Sequence, residues 1–367
     1  MEEPLISYVL TTRNKFFYLE KVLDAFFETK RSNEEIIVAD GGSDDGSVEY
    51  LKNLQERGKI DLLIEGPDKG QAHGTNRAML QARGKFVKFL LDDDIFDFSL
   101  IRRCAEYLEE KPWIDAVASN MWEHEIPVRS EEPKRIFRWD AEYQEWISNG
   151  SPFWFSDLVL MIRRTSIALC GLWNINSSVI DVDYGMRLTG SGKIRLAWCN
   201  GCLATRVLNP SSLSVQPGYL VDVVNDVNHI YDYYDLPSFF DEERILDSYR
   251  IQQKESGIID FEEDVKNFLD EYPSHMNWLE NYNNGVIKKE GLMLDAGDNF
   301  FPNVFEEREP LTKYKLHKKA KATEQELVLA TRELDRINRR LDKIRNTFLW
   351  RVLRKLNEIR ARISAQS

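Results

Sequence analysis

The first hundred residues alternate between short apolar runs and amphipathic stretches of helical period. That alternation restricts the fold more than any other feature of the chain. Leu5–Thr11 reads as a strand, and Lys15–Lys30 as a helix with Phe17, Leu19, Val22, Leu23, Phe26 and Phe27 on its apolar side. Glu35–Ala39 (EIIVA) is short and β-branched, as a buried strand requires. Ser47–Arg57 predicts a helix capped by Ser43 or Asp45. The strand Ile60–Glu65, the helix Gln71–Ala82, the strand Lys85–Leu91 (KFVKFLL) and the helix Ser99–Glu110, stopped by Pro112, continue the series. Strands separated by helices of this length form right-handed βαβ units and a mostly parallel sheet. Ligands of such sheets sit beyond the carboxyl ends of the strands. Asp40 and Asp92 each follow an apolar strand directly, so both are expected to face one crevice.

Beyond this region the pattern changes. Ala116 to about Val215 is rich in Trp, Pro and Gly and reads as loops and short strands forming a second binding wall. From Tyr219 to about Pro310 the chain is helical, acidic and aromatic, with Tyr231, Tyr233, Tyr234, Phe239 and Phe240. Residues 311–324 read as a basic linker. From Gln325 one long helix is expected, with Leu327, Leu334, Leu341 and Phe348 at one heptad position and Ile337 and Ile344 at another. The domain plan is therefore 1–218, 219–310, 311–324 and 325–367, which suits a length of 367 residues.

Charge is distributed unevenly along this plan. The net charge of −12 conceals about ten surplus basic groups after residue 310, so the body sits near −22. An acidic body argues against nucleic acid as a partner. No basic stretch followed by an apolar core opens the chain, no apolar run approaches a membrane span, and four cysteines do not make a disulfide framework. A cytoplasmic protein is expected.

Three motifs carry chemistry. In LLDDDIFD, Asp92, Asp93 and Asp94 follow a buried strand, repel one another and need compensation. Mg²⁺ or Mn²⁺ supplies it, since hard cations take carboxylates together with substrate phosphates. An acidic turn capping the next helix is the alternative. In IIVADGGSDDGS, Asp40 closes a strand, and Gly41–Gly42 permit a tight turn close to a ligand. An Asp so placed accepts from a base N–H or a ribose hydroxyl, or merely caps. In EGPDKGQAHGTNRAMLQARGKF, Lys69, Arg77 and Arg83 are either phosphate contacts or solvated helix charges, and His73 is a weak ligand candidate.

Taken in order, these pieces, the opening SYVLTTRNKFFYLEKVLDAF and the later LMIRRTSIALCGLWNINSSVIDVDYGMRL resemble a family 2 glycosyltransferase with the GT-A fold. The resemblance implies an α/β fold, a Rossmann-like mostly parallel sheet flanked by helices, with a helical C-terminal extension. It implies inverting transfer of a sugar from a nucleotide-diphosphate sugar, with Mg²⁺ or Mn²⁺, to a glycan or lipid-linked hydroxyl in cell-surface polysaccharide or glycolipid synthesis. By residue, it assigns Thr11, Asp40, Asp68 and Asp92 to the donor, and Asp93 and Asp94 to the metal. Asp181 becomes the general base, with Asp183 as the alternative.

The chemistry needs such groups. A diphosphate leaves readily only when its charge is neutralised. The acceptor proton must go to a base on the opposite face of the sugar. Two departures stand out. Family members often carry Arg-x-His after the last strand, and here Leu208 falls where the His is expected. The base motif often opens Glu-Asp, and here it is Ile180-Asp181.

Trp173 is either a sugar-stacking ring or a core aromatic. Cys199 and Cys202 (WCNGC) lack two further ligands for a zinc site. Among rivals, a nucleotidyltransferase calls for a glycine-rich basic loop after the first strand, where this chain has TTRNKFF. A non-catalytic scaffold does not need the acidic motifs. The tail mixes Phe348, Leu349, Trp350, Val352, Leu353 and Leu356 with Arg351, Arg354 and Lys355. It reads as a peripheral contact with the inner face of the membrane or as a self-association helix.

Overall fold

The computed structural model describes residues 3–126, 133, 135–209, 212, 219–237, 239, 261–291, 293–294 and 331. Two compact units divide the chain, Met1–Leu311 and Thr312–Ser367. The expected basic linker and tail helix lie outside the described residues, apart from Thr331, which is helical.

The first unit opens as the sequence predicts. β1 (Ile6–Thr12), α1 (Phe16–Thr29), β2 (Glu34–Asp40), α2 (Ser47–Glu56), β3 (Leu62–Ile64), α3 (Gln71–Met79) and β4 (Phe86–Leu91) follow one another. Then come β5 (Ile95–Phe96), α4 (Phe98–Glu110), β6 (Ala116–Glu125), β7 (Arg135–Phe137) and α5 (Asp140–Asn149). A 3-10 turn (Asp157–Val159), β8 (Met161–Arg163), α6 (Ile167–Cys170), α7 (Ile180–Gly190), β9 (Leu196–Leu208) and α8 (Tyr219–Tyr233) complete the middle. Helices Phe261–Asp270 and Tyr272–Glu290 and the short β10 (Met293–Leu294) follow.

One sheet runs β10-β9-β6-β8-β4-β1-β2-β3, with β5 on β9 and β7 on β6. The pairs β1–β2, β1–β4, β2–β3 and β6–β9 are parallel, while β8 runs antiparallel between β4 and β6. The fold class is thus α/β with a central, mostly parallel sheet flanked by helices. β1 and β2 are buried throughout because helices cover both faces, which is why they read as continuous apolar runs.

Two regions depart from the sequence reading. The stretch expected to hold loops and short strands contains β6 and β9, of 10 and 13 residues, paired in parallel with an irregularity around Asn120. Their composition hides them. β9 reads LAWCNGCLATRVL and is buried almost end to end, so no alternation marks it. Gly201 is needed there, because a Cβ would stand 2.8 Å from Asn283 Oδ1 and from a Leu100 methyl.

The helix Tyr272–Glu290 is also no appendage. Asn283 accepts from the Cys202 N–H at 2.8 Å and donates to Cys202 O at 2.9 Å and to Asp97 Oδ2 at 2.8 Å. β10 adds to the edge of β9. Among the described residues, no helix is long and apolar enough to cross a membrane.

Candidate active site

The register of the parallel strands brings the donor-side candidates together. Thr12 pairs with Asp40, and Thr11 with Ala39 on β2 and Leu91 on β4, one residue before Asp92. All lie at the carboxyl edge of the sheet. Asp40 is fully buried. Its Oδ1 accepts from the Gly42 and Ser43 N–H groups, both at 2.8 Å, while its Oδ2 is buried with no partner. Gly42 has φ +89°, which the tight turn requires. A buried carboxylate oxygen left without a donor costs free energy unless a ligand supplies one. Asp68 closes the same pocket: its Oδ1 accepts from the Gly70 N–H at 2.9 Å, and its Oδ2 lies 2.9 Å from where a Cβ on Gly41 would be.

Neighbouring loops fix this edge. Asp45 Oδ2 accepts from the Phe16 N–H at 2.8 Å, and its Oδ1 accepts from Ser47 Oγ at 2.6 Å. The cap position of α2 is Gly46, at φ +98° and with no side-chain cap bond, so neither Ser43 nor Asp45 caps the helix as expected; Asp45 instead ties the start of α2 to the start of α1.

The three adjacent aspartates are 7%, 9% and 2% exposed, and they part ways. Asp93 Oδ2 receives the Lys15 ammonium and the Asn209 amide, the latter at 2.8 Å. Asp94 turns inward: its Oδ1 accepts from the Val207 N–H at 2.7 Å, and its backbone carbonyl accepts from the Tyr272 hydroxyl at 2.6 Å. Burial, reinforced by the charge of Asp93, pushes the Asp92 carboxyl up to about 7 and holds the Asp94 carboxyl well above the usual range. Burial works against the Lys15 charge, but Asp93 and Asp92 outweigh it and hold this ammonium above its ordinary value.

A turn of hard oxygens short of positive charge has the donor chemistry of a Mg²⁺ or Mn²⁺ site. Among the described residues, no three of His, Cys, Asp or Glu converge on one point. Asp92 and Asp93 lie side by side in this turn, with Asp93 Oδ2 already engaged by Lys15 and Asn209. No motif in the sequence marks Asn209, the residue after Leu208, as a partner of Asp93. The chain leaves β9 at Leu208 and folds back, with the Asn209 N–H donating to Ser212 Oγ at 3.1 Å. That turn carries the Asn209 amide to Asp93.

The opposite wall is built on α7. Asp181 and Asp183 both lie in its first turn. Asp183 accepts from Arg187 Nε at 2.8 Å, one turn on, and Arg187 also donates to Leu172 O at 2.8 Å, so this carboxylate is part of a structural brace. Among the described residues no ion pair of that kind is formed by Asp181, although the charge of Arg206 acts on it. Its Oδ1 accepts from the Val182 N–H at 2.9 Å, and burial holds its carboxyl above the usual value.

Asp157 joins this wall although no motif announces it. Its Oδ2 accepts from Gln71 Nε2 at 2.9 Å, at the first residue of α3. Burial first, and the charge of Asp181 next, push it up to about 6.

Other candidates do not converge. Arg77 donates to Glu65 O and Gly66 O, at 3.0 and 3.1 Å, and Arg83 to Glu35, at 2.8 Å. His73 Nδ1 accepts from the Lys69 N–H at 3.1 Å. Trp173 is 3% exposed, stacked on Tyr184 at 4.0 Å, with its backbone held on both sides by Asn76. Its core reading prevails. Cys199 and Cys202 are buried, and burial pushes the Cys202 thiol well up.

Comparisons with known proteins bear on the same stretch of chain. Residues 7–164 match the family described as Glycosyl transferase family 2. An uncharacterized glycosyltransferase of Haemophilus influenzae is 30% identical over 95 residues, 26% of this chain and 38% of that protein. A GalNAc(5)-diNAcBac-PP-undecaprenol beta-1,3-glucosyltransferase of Campylobacter jejuni is 34% identical over 94 residues, 25% of this chain and 30% of that protein. The chain spans less than half the length of these curated relatives. Among solved structures, S. aureus TarS 1-349 in complex with UDP-GlcNAc is 16% identical, over 77% of this chain and 81% of that one, with a TM-score of 0.48.

Proposed function

We propose that this chain, whose residues 7–164 match glycosyl transferase family 2, moves a sugar from a nucleotide-diphosphate donor to a hydroxyl acceptor, with inversion at the anomeric carbon. The observation that carries this reading is Asp40. Its buried Oδ2, without a partner at the end of β2, is suited to accept from a base N–H or a ribose hydroxyl. Thr11 and Asp68 border that pocket, and Asp92 follows on the adjoining strand end.

On this reading the diphosphate lies over the acidic turn. Asp92 and Asp93 face it, and a Mg²⁺ or Mn²⁺ ion held by them and by the phosphates would neutralise the leaving group. We assign the metal to Asp93 before Asp94, since Asp94 Oδ1 is already committed to the Val207 N–H. Lys15 and Asn209 keep Asp93 oriented. Asp181 takes the acceptor proton, while Asp183 braces α7 through Arg187.

Lys88, buried beneath the turn, donates to Leu158 O and so fixes the backbone that carries Asp157. Support for the acceptor class comes from the Campylobacter relative, whose name specifies an undecaprenol-diphosphate-linked glycan. A lipid-linked or free glycan in cell-surface polysaccharide synthesis is the corresponding acceptor here.

Hydrolysis of UDP-glucose, UDP-GlcNAc and GDP-mannose with Mn²⁺ tests the reading. At least one donor is expected to be cleaved by the wild type, and Asp93→Asn and Asp181→Asn should each lose that turnover while melting normally. Full turnover in both variants would sink the assignment.

A further inference from the structure

The ammonium of Lys15 sits on the carboxylate to which the metal is assigned. Lys15 Nζ and Asp93 Oδ2 form an ion pair, with side chains only 14% and 12% exposed. The same oxygen takes the Asn209 amide at 2.8 Å. Asn209 is neutral and leaves the charge of Asp93 in place, whereas Lys15 cancels it.

The lysine is held where it stands. The residue before it, Asn14, has φ +54°, a left-handed conformation that asparagine tolerates and most residues do not. The Asn14 N–H donates to Ser43 Oγ, and its Oδ1 accepts from the Asp44 N–H, both at 2.9 Å. Those bonds lace the β1–α1 loop to the loop that follows Asp40. The Lys15 carbonyl then accepts from the Leu19 N–H at 2.9 Å and opens α1. Lys15 Nζ also lies 5.5 Å from the centre of the buried Tyr18 ring, within cation–π reach.

We infer that Lys15 is a tethered cation that competes with Mg²⁺ or Mn²⁺ for Asp93. The inference rests on the assignment of the metal to Asp93. A divalent ion brought to this carboxylate must displace the ammonium or share the oxygens with it. Displacement breaks an ion pair that is largely shielded from water, and sharing sets like charges a few ångströms apart. Either way Asp93 is a weaker ligand for an ion that arrives alone. A diphosphate changes the balance, because its oxygens give the ammonium another anion to meet. The site is thereby biased to take the ion together with the donor.

Mn²⁺ binding to the full chain without nucleotide, read at fixed pH from the paramagnetic resonance of free Mn²⁺, tests this. Lys15→Met should bind Mn²⁺ about tenfold more tightly than the wild type. Lys15→Arg keeps the charge and should bind as the wild type does. Lys15→Gln replaces Lys15→Met if that variant melts early. Neutral variants that bind no more tightly than the wild type overturn the inference, as does a Lys15→Arg that gains as much as they do or a lack of Mn²⁺ binding in every protein. The gain should vanish when Asp93→Asn is added to Lys15→Met. A gain that survives there overturns the metal assignment and this inference together. Loss of Mn²⁺ from Asp93→Asn alone, beside neutral Lys15 variants that match the wild type, overturns this inference and leaves the metal assignment standing.

Discussion

Gly185→Ala puts one methyl group where the acceptor wall is closest. The new carbon would stand 2.9 Å from Trp154 Cα and 3.0 Å from Phe155 N, so backbone must move by several tenths of an ångström. It has little room to do so. Phe153 is clamped to Thr189, and Phe155 is buried at 2% exposure against Trp198, ring centroids 5.8 Å apart. Two effects compete. Alanine in a helix interior gains about 1 kcal/mol over glycine, while overpacking a tight contact costs about 1–3 kcal/mol.

With the neighbours pinned, the overpacking cost lies in the upper part of its range, about 2–3 kcal/mol, leaving a net loss of about 1–2 kcal/mol. At roughly 2–4 °C per kcal/mol the melting temperature falls by about 2–8 °C. The same displacement shifts α7, whose first turn carries Asp181, so donor hydrolysis should fall about tenfold or more. Gly285→Ala is the matched control, in a helix with nothing within 4 Å of the added carbon. It should gain about 0.5–1 kcal/mol and leave hydrolysis alone. Scanning calorimetry and UDP-glucose hydrolysis decide the matter. If the two alanines behave alike, the close approach of the 153–157 segment to α7 does not govern the site.

Three further outcomes are expected. Asp183→Asn should lower stability by about 0.5–2 kcal/mol through the lost Arg187 brace yet keep hydrolysis within a few fold, measured by urea denaturation and turnover; complete loss of turnover would move the base to Asp183. Asn209→Leu should weaken Mn²⁺ binding about 10–100-fold, read from the paramagnetic resonance of free Mn²⁺; unchanged affinity would separate Asn209 from the metal site.

Lys88 gives the pH prediction. Burial pushes its ammonium down to about 7, below its unfolded value of about 10.4. The unfolded chain then binds more protons between those values, so stability rises with pH across that window, and the cost of the buried charge is fully present below it. Lys88→Met should flatten this rise in urea denaturation at pH 7 and 9.5, and an unaltered slope would mean that Lys88 keeps its proton in the core across that window.

The parts of the fold that were legible are those where one physical effect dominates. Runs such as EIIVA and KFVKFLL are apolar because helices bury both faces, and each became a strand near its expected bounds. β9 was hidden because its buried faces accept Cys, Asn and Gly, whose role is to admit Asn283 and Leu100 rather than to alternate. Asp40 and the three aspartates could be placed because each follows such a run. Asp157 could not, because the partner that holds its carboxylate, Gln71, lies 86 positions earlier in the chain. Asn209 escaped because strand alternation stops at Leu208, and the turn that swings it inward is a local hydrogen-bond choice. The division of Asp181 from Asp183 likewise needed the partner, Arg187, which sits one helical turn beyond.

The hydroxyl of Tyr272 on the carbonyl of Asp94 spans 178 positions of chain. A ribosome adding about 5–20 residues per second takes roughly 10–35 s to cover that distance. Throughout that interval the acidic turn has been made but its support has not. A nascent or truncated chain that ends after β9 therefore carries every aspartate of the site and still lacks the clasp that sets the shape of their turn. Emergence of the helix that carries Tyr272, rather than the appearance of the motif, completes the turn.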